Sequence, residues 1–167
     1  PDLGSSERAD RVKSALRLIS RTGSVIAAWY HIRNGDEPPE MDTSLSHAGA
    51  FLKALWDKDP NEKEVRLMDV LLVIHADHTF NASTFAVREV ASTRAHIYAS
   101  VAAGVGALSG PLHGGANRKV MHMLKEIGSQ DKVEEWVRTR IESNQRVMGL
   151  GHEVYKTEDP RANILRR

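Results

Sequence analysis

Cysteine is absent from all 167 residues. That excludes a disulfide scaffold, a thiolate metal site and a cysteine nucleophile. There is also no excess of positive charge. Lys plus Arg is 23 and Asp plus Glu is 22, a formal net charge of +1. A nucleic-acid binder needs a concentrated basic surface, so the composition speaks against that class. No apolar run approaches the roughly 20 residues needed to span a bilayer. No N-terminal stretch reads as a signal peptide, which makes a cytoplasmic setting the expectation. Strand-like alternation, internal repeats and low-complexity tracts are missing too. What remains is 41% hydrophobic and 27% charged, enough to bury a core beneath an ordinary polar surface. Against that background stand eight histidines, and histidine is a common acid, base or ligand near neutrality.

Hydrophobic spacing predicts helices almost throughout. Val12, Leu16 and Ile19 mark one apolar face over Ser6 to Ser20. Gly23 is expected to end that helix, and Ser24 to cap a second one through Val25, Ile26, Trp29 and Ile32, stopped by Asn34-Gly35. Asp36 to Asp42, with Pro38-Pro39, reads as a loop. Ser46 can cap a helix through Phe51, Leu52 and Leu55. Asp59-Pro60-Asn61-Glu62 offers an N-cap, a proline at N1 and an acid at N3 ahead of Val65, Met68, Leu71 and Leu72. Thr84 to Leu108 reads as one long helix. Its stripe of Ala91, Ala95, Ala99, Ala102 and Gly106 suits either the centre of a single core or a close subunit contact. Beyond a break at Ser109 to Gly115, a helix carries Val120, Leu124 and Ile127 inward and ends at Gly128. Asp131 to Ser143 is amphipathic. Asp159-Pro160-Arg161 is a well-signalled helix start with barely two turns behind it. With an opening Pro1, that predicts part of a larger protein.

Three histidine contexts invite chemistry. His75 and His78 lie three apart, a spacing that can hold a metal with a carboxylate or simply bond the exposed carbonyls of a helix end. His113 sits between Pro111 and Gly114-Gly115 at the start of a helix. The positive end of a helix dipole disfavours imidazolium there, and a neutral histidine can donate to a carbonyl that is gaining enolate character. His152 follows Gly149-Leu150-Gly151, and Arg161 lies downstream at a helix start, a combination suited to a dianion. The Gly-x-Gly piece is no dinucleotide fingerprint, because no strand precedes it and the third glycine is missing.

Together these residues resemble the citrate synthase family, in its bacterial-type members, including the 2-methylcitrate synthases. The resemblance rests on His75-Ala76-Asp77-His78 followed by Asn81-Ala82-Ser83-Thr84. It continues through Gly110-Pro111-Leu112-His113-Gly114-Gly115-Ala116-Asn117 and Gly149-Leu150-Gly151-His152-Glu153-Val154-Tyr155-Lys156 to Asp159-Pro160-Arg161. Tyr30 to Gly35 and Ser44 to Ala48 fit upstream. The match covers essentially the whole chain and the middle of the family's longer one.

The resemblance implies an all-α, multi-helical citrate synthase-like fold, here partial. Residues 1–112 would belong to a large, dimer-forming domain and 113–167 to a small, CoA-binding one. It implies an acyltransferase that condenses oxaloacetate with acetyl-CoA and water to give citrate and CoA, the entry to the tricarboxylic acid cycle. No metal or cofactor is implied, acetyl-CoA being a substrate, and the partner is a second copy of the chain. His113 matches the histidine that stabilises the enol, and His152 the one that polarises the oxaloacetate carbonyl. His78 and Arg161 match residues that bind oxaloacetate. Val147, Gly149 and Leu150 fall where the backbone meets the CoA adenine, and Ser83 where a serine supports the His113 equivalent. The family's aspartate base lies further along, beyond Arg167, so these residues alone are expected to be inactive. Glu153 stands where many bacterial members carry arginine, which would weaken CoA binding if it faced a phosphate. Two alternatives remain: a 2-methylcitrate synthase using propionyl-CoA, and a noncatalytic helical association module.

Overall fold

The computed structural model describes residues 8–77, 79–150 and 157–166. Two of the motif histidines, His78 and His152, lie outside the described residues, as does Glu153. Helices make up the regular structure, and no strand occurs among the described residues. They run α1 (Arg8–Asn34), α2 (His47–Trp56), α3 (Glu62–Ile74), α4 (Ala82–Ser92), α5 (Ile97–Leu108), α6 (Gly115–Ile127), α7 (Val133–Glu142) and α8 (Pro160–Leu165). A 3-10 turn, Gln130–Lys132, leads into α7.

The first two expected helices are one. Helix α1 continues through Gly23, which is buried against α2. A Cβ there would stand 3.2 Å from Phe51 Cδ2. Glycine inside a helix costs about 1 kcal/mol relative to alanine. Here it makes room for an aromatic ring, so tertiary packing overrides the local preference. The expected stop at Asn34 holds, with Gly35 at φ +85°. Helix α2 packs on both α1 and α3, and Ala48, Ala50, Leu52 and Ala54 of α2 are buried together with Ala27 of α1. His31, also buried, donates from Nε2 to the Ala54 carbonyl at 2.9 Å.

Ser46 caps α2 as expected, its hydroxyl accepting from Gly49 N at 3.2 Å. Helix α3 starts two residues later than the Asp-Pro signal suggests. Asn61 is its N-cap, and a capping box joins Asn61 to Glu64 at 3.0 and 2.8 Å. That box satisfies two orphan amides reciprocally. Asp59 is engaged elsewhere, by Lys53 Nζ at 2.8 Å.

The same lysine reaches Asp42 at 3.1 Å and so ties the 36–46 loop to α2. The Ser44 hydroxyl, the Lys53 ammonium and the Ser44 amide hold the Asp42 carboxyl down to about 2 from its ordinary 3.8. A depressed carboxylate contributes stability above its unfolded value and loses it as pH falls through its folded one. Asp42→Asn is therefore expected to lower stability at neutral pH. It should also flatten the acid limb of a denaturation profile between pH 3.8 and about 2. An acid limb identical to that of the parent would contradict the assignment.

The long helix expected over Thr84 to Leu108 is a hairpin. Helix α4 starts at Ala82 with Asn81 as its N-cap and ends at Ser92. The Ser92 and Thr93 hydroxyls donate back to the Glu89 and Val90 carbonyls at 2.7 and 2.8 Å. Arg94 turns through φ +64°, and His96 caps α5, its Nδ1 accepting from Ala99 N at 3.2 Å. The reversal breaks the register of the alanine stripe. Ala91, Ala95, Ala102 and Gly106 are exposed, and α5 instead buries Ser100 and Gly104.

Helix α6 ends at Gly128, φ +75°, as expected. Ile127 is buried, but Leu124, expected inside, is 52% exposed. Arg140 of α7 grips Glu126 of α6 through both carboxylate oxygens at 2.8 and 2.9 Å and stacks on Trp136. Asp159 caps α8, which packs on α3. The accessible surface is 13340 Å², against about 8,200 Å² for a compact monomer of 18.5 kDa. Leu16, Ile19 and Trp29 of α1 and Val105 of α5 are more than half exposed. Apolar faces of that extent mark surfaces suited to burial against more protein.

Candidate functional site

The turn after α5 is shaped by a glycine that nothing else can replace. A Cβ on Gly114 would lie 2.1 Å from the Leu108 carbonyl oxygen. The His113 and Gly114 amides both donate to the Gly110 carbonyl at 3.1 Å, and α6 begins at Gly115. His113 is thereby fixed one residue before the N-cap of α6, as its sequence context suggests.

Its ring meets a second helix N-terminus as well. The Ser83 amide, in the first turn of α4, donates to His113 Nε2 at 3.3 Å, and Ser83 Oγ lies 3.0 Å from the same nitrogen. A backbone N–H can only donate, so Nε2 presents a lone pair and the ring proton sits on Nδ1. The Ser83 hydroxyl also has Asn81 Oδ1 as an acceptor at 2.8 Å. Asn81 Oδ1 in turn caps α4 by accepting from Thr84 N at 2.9 Å. The outcome is a half-buried imidazole held at Nε2, with its proton on Nδ1. Sequence reasoning paired Ser83 with His113 through the family motif but missed Asn81. The available signal was Asn81 itself, a residue type favoured as an N-cap.

The other expected site residues divide. His75 is the C-cap of α3, and its Nδ1 donates to the Leu71 carbonyl at 2.7 Å. That is the helix-end use of a histidine. Thr79, next to His78, holds φ +54° while its amide donates to Asp77 Oδ1 at 2.8 Å. A β-branched residue in the left-handed region is strained, a feature that clusters at functional sites. Arg161 is on α8 and already grips a carboxylate. Its Nε and Nη2 bind Asp159 at 3.0 and 2.6 Å. Val147 is half-buried and Leu150 exposed. Gly149 turns through φ +87°, with Val120 Cγ2 of α6 4.0 Å from where its Cβ would be. A cavity of about 790 Å³ lies elsewhere, between the C-terminal ends of α1 and α2. Tyr30, His31, Asp36 and Trp56 are among its lining residues, and none of the expected site residues is.

A family model described as the citrate synthase C-terminal domain matches residues 1–167. The citrate synthase of Synechocystis sp. is 46% identical over 152 residues, covering 91% of this chain and 38% of its own length. A 2-methylcitrate synthase of Mycobacterium tuberculosis is 37% identical over 159 residues, covering 95% of this chain and 40% of its own. A solved structure from Thermoplasma acidophilum superimposes with a TM-score of 0.83 at 33% identity, covering 95% of this chain and 42% of its own. It is a ternary complex of citrate synthase with carboxymethyl coenzyme A and oxaloacetate. The chain spans about two fifths of the length of the relatives it matches.

Proposed function

The chain belongs to the citrate synthase family, and from that premise we propose that the protein carrying it condenses oxaloacetate with acetyl-CoA and water to give citrate and CoA. The observation that carries the proposal is the His113 seat. The acetyl methyl is a weak carbon acid, and charge builds on the thioester oxygen as its proton leaves for a carboxylate base. A neutral Nδ1–H fixed by Ser83 meets that oxygen without itself reorganising. The enol carbon then attacks the oxaloacetate carbonyl carbon, whose oxygen His152 polarises. Water cleaves the resulting thioester and releases CoA. His78 and Arg161 hold the oxaloacetate carboxylates, and Val147, Gly149 and Leu150 place backbone against the CoA adenine. No cofactor takes part.

Residues 1–112 would belong to the large domain and 113–167 to the small one. A cytoplasmic homodimer is the assembly we propose. The support for the homodimer is the extent of exposed apolar surface on α1 and α5. No helix among the described residues is long and apolar enough to cross a membrane.

A second reading, 2-methylcitrate synthesis from propionyl-CoA, is favoured by relatives of that name at 37% identity. The two thioesters differ by one methylene, worth about 1–3 kcal/mol in a pocket. The higher identity of relatives named citrate synthase favours acetyl-CoA.

Arg161 supplies a test separate from His113. Asp159 fixes the orientation of its guanidinium through Nε and Nη2, and the part we propose for it is to hold a substrate carboxylate equally in the ground and transition states. Arg161→Ala is expected to raise the oxaloacetate KM and equilibrium Kd together. The expected factor is about 10- to 100-fold, the loss of a charge-assisted pair. Calorimetric titration of oxaloacetate, alongside initial rates, separates this from a loss in kcat alone, which would contradict the role.

A further inference from the structure

One buried glycine outside every motif lies directly behind the Ser83–His113 pair. Gly104, on the buried face of α5, packs against the first turns of α4. A Cβ there would stand 2.5 Å from Val87 Cγ2 and 3.4 Å from the Ser83 carbonyl oxygen. Val87 is β-branched and stiff at χ1, so its methyl cannot swing aside cheaply. One helical turn further along α5, the Leu108 carbonyl stands where a Cβ on Gly114 would need to be. A single turn of α5 is therefore in backbone-close contact at both ends. At Gly104 it sets the depth of the α4 turn that carries Ser83, and at Leu108 it sets the turn that carries His113.

We infer that Gly104 is a positioning residue for His113: the missing side chain lets α5 seat α4 so that the Ser83 amide reaches Nε2 and fixes the Nδ1–H tautomer. The catalytic consequence rests on reading His113 as the enol donor, but the positioning does not. An alanine at 104 forces Val87, and Ser83 with it, away from the ring. The 3.3 Å amide contact is already near the outer range for such a bond, so a displacement of a few tenths of an ångström breaks it. Removing the Val87 methyls makes room again.

The test is nitrogen NMR of the His113 ring in the natural protein that carries these residues. The parent should show an unprotonated Nε2. In Gly104→Ala that resonance should move toward the average of the two tautomers. In the double variant Gly104→Ala/Val87→Ala it should return, and Val87→Ala alone should keep the parent signal. kcat should follow the same order, falling by about ten-fold or more in the single variant and recovering in the double. A folded Gly104→Ala with the parent's tautomer overturns the inference. If the single variant does not fold, the double decides: a parent-like ring supports the inference, and mixed tautomers overturn it. A tautomer change without a change in kcat supports the positioning and counts against the donor reading.

Discussion

His113→Ala, in the natural protein carrying these residues, is expected to lower kcat by about 10²–10³-fold, the usual loss for removing one donor to a developing oxyanion. The oxaloacetate KM should change far less. Oxaloacetate is proposed to be held by His78 and Arg161, whereas the Nδ1–H bond strengthens only as the enol forms, and interactions of that kind appear in kcat. His122 is the matched control. It lies on the exposed side of α6, outside every motif, and His122→Ala should leave kcat near that of the parent. Both variants need their helical content checked by circular dichroism. A near-normal kcat in His113→Ala with loss of activity in His122→Ala would reverse the assignment.

The largest expected stability loss lies elsewhere. Leu52 is 2% exposed, on helix α2, which packs on both α1 and α3, and Ala48, Ala50 and Ala54 of the same helix are buried too. Buried alanines on the same helix are too short to extend into a vacated space. Leu52→Ala should therefore leave most of its volume as a cavity. The loss should fall in the range of about 2–5 kcal/mol seen for such truncations. Chemical denaturation measures it as a lower midpoint at an unchanged slope. A loss below about 0.5 kcal/mol, the scale of an ordinary surface change, would show that Leu52 is not part of what holds α2 to its neighbours.

The helical class was legible because periodicity and caps agree along most of the chain. Ser46, Asn34-Gly35, Gly128 and Asp159 act at the ends where their chemistry places them. What was not legible turned on contacts between distant segments. Gly23 reads as a breaker until Phe51 is seen beside it. The reversal at Arg94 carries neither glycine nor proline. Hydroxyl bonds from Ser92 and Thr93 and the cap from His96 make it, all from residues that a helical pattern tolerates. Leu124 counted as core by spacing alone and is exposed, since spacing names a face but not what covers it. In the site, Ser83 and His113 are 30 residues apart in sequence and meet only in the fold. The family motif linked them; it includes Asn81 but gave it no role, and Gly104 lies outside it.

The central claim is oxaloacetate-dependent carbon–carbon bond formation, and the direct measurement is CoA release by the natural protein that carries these residues. Acetyl-CoA and propionyl-CoA should each be assayed with and without oxaloacetate. The account predicts release only when oxaloacetate is present, citrate as the product, and a higher kcat/KM for acetyl-CoA. Release that is independent of oxaloacetate would indicate a plain thioesterase, and no release under any condition would indicate an association module; either would contradict the account.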